Sequence, residues 1–186
     1  MIDISKALQI NGWMNESIEL PWLAEQASKH KMIAEVGSYL GRSTRAMADN
    51  TSGVIYAVDT WKGTLADEKF PKEPHEGYFL DEFTKNLGDH LWNGTVKALR
   101  MTSLEAAAAF SGDGTRFGFI FIDGDHSYES VRNDILAWRP LLEKGGTISG
   151  HDFDIGGYPG VVQAVRELIA PVPNQVGGSS LWYLET

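Results

Sequence analysis

The chain contains no cysteine. Disulfides and thiolate metal sites are therefore excluded, and the absence fits a cytoplasmic protein. No apolar run approaches the ~20 residues that a membrane-spanning helix needs, so no membrane partner is expected. The opening Met1-Ile2-Asp3-Ile4-Ser5-Lys6 lacks the basic-then-apolar order of a secretory signal. Basic charge is scarce too: 16 Lys and Arg stand against 25 Asp and Glu, a formal charge of −9. A nucleic-acid partner, whose phosphates want clustered Lys and Arg, is not expected. Lys62, Lys69 and Lys72 come nearest to a cluster, but Asp67, Glu68 and Glu73 are interleaved with them, as on a solvated loop.

What is present is an alternation of strand and helix. The length of 186 residues and the 42% of apolar residues suit one domain, 1–186, with a sizeable core. Leu20, Leu23, Ala24 and Ala27 have helical spacing, which predicts a helix to Lys29 and makes residues 1–30 an N-terminal helical cap segment. Met32–Val36 reads as a buried strand, Arg42–Asn50 as a helix and Val54–Val58 as a second strand. Residues 61–77 carry Gly63, Pro71, Pro74 and Gly77 and read as a long loop of the kind that forms lids. A helix is expected over Tyr78–Leu87, a strand over Thr95–Met101 and an alanine-rich helix over Leu104–Phe110. Phe117–Ile122 is apolar on both faces, as at the centre of a parallel sheet. A helix over Tyr128–Leu142, closed by Gly145 and Gly146, precedes a strand that begins at Thr147–Ser149. Val161–Ile169 follows as a helix. Val172–Val176 and Leu181–Leu184 form a closing antiparallel pair around Gly177-Gly178-Ser179. The fold class is thus α/β: a Rossmann-like, doubly wound, mostly parallel seven-stranded sheet with an antiparallel C-terminal strand.

In such sheets ligands bind beyond the carboxyl ends of the strands. Four acids, Glu35, Asp59, Asp123 and Asp152, fall at predicted strand ends. Between Glu35 and Ser43, two glycines stand four apart, Gly37 and Gly41. A dinucleotide loop wants Gly-x-Gly-x-x-Gly so that backbone can touch a pyrophosphate. Tyr39 occupies the second glycine position here and obstructs that approach. Asp59 can accept both hydrogen bonds of a ribose diol. A ligand with a ribose and no diphosphate is implied, and S-adenosylmethionine fits; the bland alternative is a structural turn beside an exposed acid.

Glu35-Val36-Gly37-Ser38-Tyr39-Leu40-Gly41-Arg42-Ser43 resembles motif I of the class I S-adenosylmethionine-dependent methyltransferases, in the form found in catechol and caffeoyl-CoA O-methyltransferases. Val58-Asp59-Thr60-Trp61, Ile122-Asp123-Gly124-Asp125-His126-Ser127-Tyr128 and Gly145-Gly146-Thr147-Ile148-Ser149-Gly150-His151-Asp152 resemble a bacterial group related to macrocin and cephalosporin-pathway methyltransferases. The likeness runs from about residue 20 to the end. It implies a cofactor site of Glu35, Gly37, Ser38, Tyr39, Gly41, Ser43, Asp59, Thr60, Trp61, Ser103 and Asp123. Within it, Gly37, Tyr39, Gly41 and Ser43 would surround the methionine part, Asp59 would hold the ribose and Ser103 would meet the adenine. Glu35 has an alternative role, fixing the loop by accepting backbone N–H bonds.

Methyl transfer to a hydroxyl needs alignment of donor and acceptor and removal of one proton. His126 is the expected base, with Asp123 beside it, at a position where the resembled enzymes carry a lysine. Asp123 and Asp152 form an oxygen-rich pair suited to Mg²⁺ or another divalent cation. The third ligand of the resembled families would fall at Phe153, which cannot bind a cation; Asp154 is the first substitute considered, then Asp125 and His151, and a site without metal stays open. Asp125 is equally a helix cap and His151 equally a strand-end residue. The expected acceptor is a small hydroxylated molecule, recognised by the N-terminal segment, residues 61–77 and 153–160, or a second subunit of a homodimer. Trp13, Trp22 and Trp61 are read as exposed aromatics for that purpose. A hydroxylase-like enzyme or a non-catalytic nucleoside-binding protein on the same fold are the alternatives.

Overall fold

The computed structural model describes residues 1–63, 72, 74–169 and 173–186. Seven strands form one sheet: β1 (Met32–Val36), β2 (Val54–Asp59), β3 (Val96–Arg100), β4 (Phe117–Ile122), β5 (Leu142–Gly150), β6 (Asn174–Gln175) and β7 (Trp182–Glu185), in the order β3-β2-β1-β4-β5-β7-β6. Strands β1 to β5 are parallel; β7 runs antiparallel to β5, and β6 antiparallel to β7. The order reverses between β1 and β4, and this switch point opens a crevice at the carboxyl ends of the strands.

The layers follow from side-chain alternation. Ile33, Ile55, Ala57, Phe119 and Phe121 face one core, which is covered by α1 (Glu19–Lys29), α2 (Arg42–Ala48) and α3 (Tyr78–Asn93). Ala34, Val36, Val58, Ile120 and Ile122 face the other, covered by α4 (Ser103–Asp113), α5 (Tyr128–Trp138) and α6 (Pro159–Leu168). Every residue of β4 is buried, which is why its run is continuously apolar. Among the described residues no helix is long and apolar enough to cross a membrane.

Two expected boundaries are corrected. The helix over 128–142 stops at Trp138 and continues as a 3-10 turn, Arg139–Leu141, because Pro140 has no N–H to extend the α-helical ladder. Gly145 and Gly146 do not close that helix; they lie inside β5, which begins at Leu142. Gly146 passes so close to β4 that a Cβ would stand 2.8 Å from the Gly118 carbonyl oxygen, so glycine there serves sheet packing. The closing hairpin forms as read, but its first strand is only Asn174–Gln175. Val172 lies outside the described residues, as do 64–71 and 73 of the expected lid loop.

Candidate active site

The loop after β1 is held from below by two acids. Glu35 is fully buried, and its carboxylate accepts hydrogen bonds from the hydroxyls of Ser38 (2.8 Å), Ser43 (2.6 Å) and Thr44. Burial raises its pKa, against the opposing pull of those three hydroxyls. The loop-fixing role thus runs through hydroxyl donors rather than backbone N–H groups. Asp59, at the tip of β2, takes the amides: Ser38 N and Tyr39 N both donate to Oδ2 at 2.9 Å, and Trp61 N donates to Oδ1 at 2.7 Å.

The backbone turns tightly here. Gly37 has φ +86°, and a Cβ on it would meet the Asp123 carbonyl oxygen at 2.0 Å. Gly37→Ala should therefore push β1 and β4 apart at the crevice. A loss of roughly 1–3 kcal/mol is expected, read as a lowered midpoint in thermal or urea unfolding. Three non-glycine residues also adopt positive φ, Tyr39 (44°), Trp61 (50°) and Asp152 (60°), and all three border the cavities described below. Such strain persists only where surrounding contacts enforce it, and it concentrates at binding sites.

Of the three aromatics read as exposed, only Trp13 is so, at 64%. Trp22 is half-buried, against Phe119 and Tyr183. Trp61 is buried: its indole packs on Phe83, with ring centroids 4.8 Å apart, and its Nε1 donates to the Tyr39 carbonyl at 2.8 Å. It pins the loop, while the residue still lines the cleft.

Asp123 follows β4, and His151 and Asp152 follow β5. One donor atom each of Asp123, His126 and Asp152 lies within 4.8 Å of the others. His126 Nε2 stands 2.9 Å from Asp152 Oδ2, and its ring leans on Tyr158 with centroids 4.5 Å apart. His151 is wedged behind, with Nδ1 at 3.2 Å from Asp152 Oδ1 and 3.7 Å from Asp123 Oδ1; its Nε2 is 3.1 Å from Glu19 Oε2 and 3.0 Å from Ser180 Oγ. Burial pushes Asp123 up to about 7, partly offset by His151. His151 rises to about 11: burial opposes its charge, but Asp152, Glu19 and Asp123 outweigh that. Asp152 falls below its ordinary range despite burial, because His126 and His151 hold its charge. His126 is raised, since Asp152 and Asp123 outweigh its burial.

Asp154 is not in this group. Its Oδ1 accepts from Gly156 N at 3.0 Å and shapes the exposed turn before α6, so His126 is the third donor brought to Asp123 and Asp152. Asp125 accepts from Ser127 N at 2.7 Å in the turn ahead of α5, whose N-cap is Ser127. Sequence reading missed Glu19, Ser180 and Tyr158. Glu19 and His151 are 132 positions apart, and no local spacing could have paired them.

Two cavities meet at this point. A cleft of about 770 Å³ runs from Asp59, Thr60 and Trp61 past Ser103 to Asp134. A smaller chamber of about 340 Å³ is walled by residues 11–14, Tyr39, His126, His151, Asp152 and Tyr158. They share Gly37, Tyr39, Asp123 and Gly124.

The arrangement is that of the class I methyltransferase fold. The O-methyltransferase from Bacillus cereus solved in complex with SAH superposes with TM-score 0.68 at 17% identity, covering 98% of this chain and 90% of that one. The calicheamicin methyltransferase CalS11 superposes with TM-score 0.67 at 18% identity, covering 89% and 76%. A caffeoyl-CoA O-methyltransferase homologue from Staphylococcus aureus gives 0.66 at 16%, covering 97% and 87%. At these identities the likeness is one of fold. Residues 34–153 match the family described as a methyltransferase domain, and the chain belongs to that family. A stretch of 54 residues is 39% identical to the uncharacterized protein R132 of Acanthamoeba polyphaga mimivirus, a match that takes in 28% of this chain and 24% of that protein.

Proposed function

We propose that the protein transfers the methyl group of S-adenosylmethionine to a hydroxyl of a small molecule. The observation that carries this reading is the meeting of the two cavities at Gly37, Tyr39, Asp123 and Gly124, with the acid–histidine cluster on the side of the smaller one. The long cleft suits the nucleoside, whose amino-acid tail crosses the shared residues to Ser38 and Ser43, and the rest of the chamber suits the acceptor. The methyl carbon passes in line from sulfur to oxygen; the C–S bond breaks with its electron pair on sulfur, and the acceptor proton must leave.

Asp59 presents its carboxylate to the ribose end, and Glu35 keeps Ser38 and Ser43 in place beneath the methionine end. His126 takes the proton. With Nε2–H directed to Asp152, Nδ1 is the nitrogen free to accept it, and Asp152 then stabilises the imidazolium. Trp13, stacked on Tyr39 at 5.2 Å, and Tyr158 give the chamber flat apolar walls that position a ring-shaped acceptor. Two carboxylates and an imidazole also fit a divalent cation; Asp123, Asp152 and His126 would hold one, and with its lone pair on the ion His126 would not then be the base. Such an ion would lower the pKa of the acceptor hydroxyl.

The test is transfer of label from methyl-labelled S-adenosylmethionine to a panel of phenols and sugars, with and without a chelator. Labelled product is expected from at least one acceptor class. Cofactor binding with no transfer across the whole panel would favour the non-catalytic alternative.

A further inference from the structure

Ser103, the residue expected to meet the adenine, has no proton left for a ligand. Its hydroxyl donates to Asp134 Oδ1, while Trp138 Nε1 donates to it at 2.8 Å. The chain Trp138–Ser103–Asp134 fixes the carboxyl group of Asp134 on α5, where the residue is only 6% exposed yet lines the long cleft. Oδ1 is engaged. Oδ2 accepts no hydrogen bond among the described residues and lies 3.9 Å from where a Gly124 Cβ would stand, so the missing side chain at 124 leaves it uncovered. Asp134 lines the cleft and its Oδ2 has no protein donor among the described residues, which makes this oxygen an acceptor for a ligand N–H or O–H. Burial holds Asp134 up at about 6, with Ser103 opposing, so above pH 7 it is an acceptor only.

The ligand donor follows from the order of groups along the cleft. The ammonium of the methionine tail belongs at the Gly37–Ser43 end, and the ribose hydroxyls at Asp59. Beyond the ribose, Val58, Met101 and Leu104 wall the cleft for a flat ring. The donor that an adenosyl group carries there is the exocyclic amine. We propose that Asp134 reads this amine and so selects an adenine-bearing cofactor against 6-oxo purines. The proposal rests on the S-adenosylmethionine reading above. A 6-oxo group would set a carbonyl oxygen against Oδ2, acceptor facing acceptor, and leave both without a donor.

Calorimetric titration at pH 8 tests this, comparing S-adenosylhomocysteine with S-inosylhomocysteine and with the analogue that bears hydrogen at purine C6. Wild-type protein should bind both altered compounds about tenfold to a hundredfold more weakly than the adenosyl compound. Asp134→Asn keeps Oδ1 for Ser103 and turns an amide donor to the cleft; it should weaken the adenosyl compound, strengthen the inosyl one and bring the two within about threefold. Equal binding of all three compounds by the wild type would overturn the proposal, and so would a variant that weakens both nucleosides alike. If the variant does not fold, the wild-type comparison decides alone. Failure of the wild type to bind S-adenosylhomocysteine at all would instead overturn the cofactor reading, a different result from equal binding.

Discussion

His126→Ala should lower kcat by about 10²–10⁴-fold while leaving S-adenosylhomocysteine affinity within about twofold. The imidazole faces the smaller chamber and does not line the long cleft, so its loss should fall on chemistry rather than on cofactor binding. The pH profile supplies an independent reading. His126 must be neutral to accept a proton, and its pKa is raised above the ordinary 6.5 because Asp152 and Asp123 outweigh its burial. The rate should therefore climb with pH through the region above 6.5, and that limb should vanish in the alanine variant. A variant with unchanged kcat and an unchanged limb would remove His126 from the mechanism. Adding a chelator separates the cation's share: a metal-assisted enzyme loses rate in the wild type and regains it with Mg²⁺.

Asp59→Ala should weaken S-adenosylhomocysteine by about a hundredfold, measured by calorimetry. The carboxylate has two tasks. It gathers the amides of Ser38, Tyr39 and Trp61, and two of those residues, Tyr39 and Trp61, sit at positive φ. Its remaining acceptor capacity borders the long cleft, where the proposal puts the ribose. Removing it leaves three amides without their acceptor and takes away the ribose partner, so the effect should exceed that of a single lost hydrogen bond. Asp59→Asn, which retains one acceptor oxygen, should fall between the two. An alanine variant that binds as well as the wild type would show that the ribose does not lie against β2.

Much of this arrangement was legible in the chain because it is local. Met32–Val36 and Phe117–Ile122 announce themselves as buried strands, and the acids that end β1, β2, β4 and β5 line one edge of the sheet. The Gly37–Gly41 spacing fixes a strand–helix loop. What stayed hidden depends on long-range packing. Gly145-Gly146 reads as a helix stop, yet serves the close approach of β5 to β4. Trp61 reads as an exposed aromatic, yet the turn at Asp59 swings its indole into the core on Phe83. Asp154 follows Asp152 by two residues and reads as a ligand, yet the chain reverses between them and His126 comes forward from the β4 side. Ser103 keeps its place in the cleft, but the direction of its proton depends on Trp138 and Asp134, both more than 30 positions away.

The measurement that bears most directly on the central claim is a calorimetric titration of the wild-type chain with S-adenosylhomocysteine. The account predicts saturable binding at one site per chain in the micromolar range, competed by S-adenosylmethionine. An absence of binding, in protein shown to be folded, would contradict it.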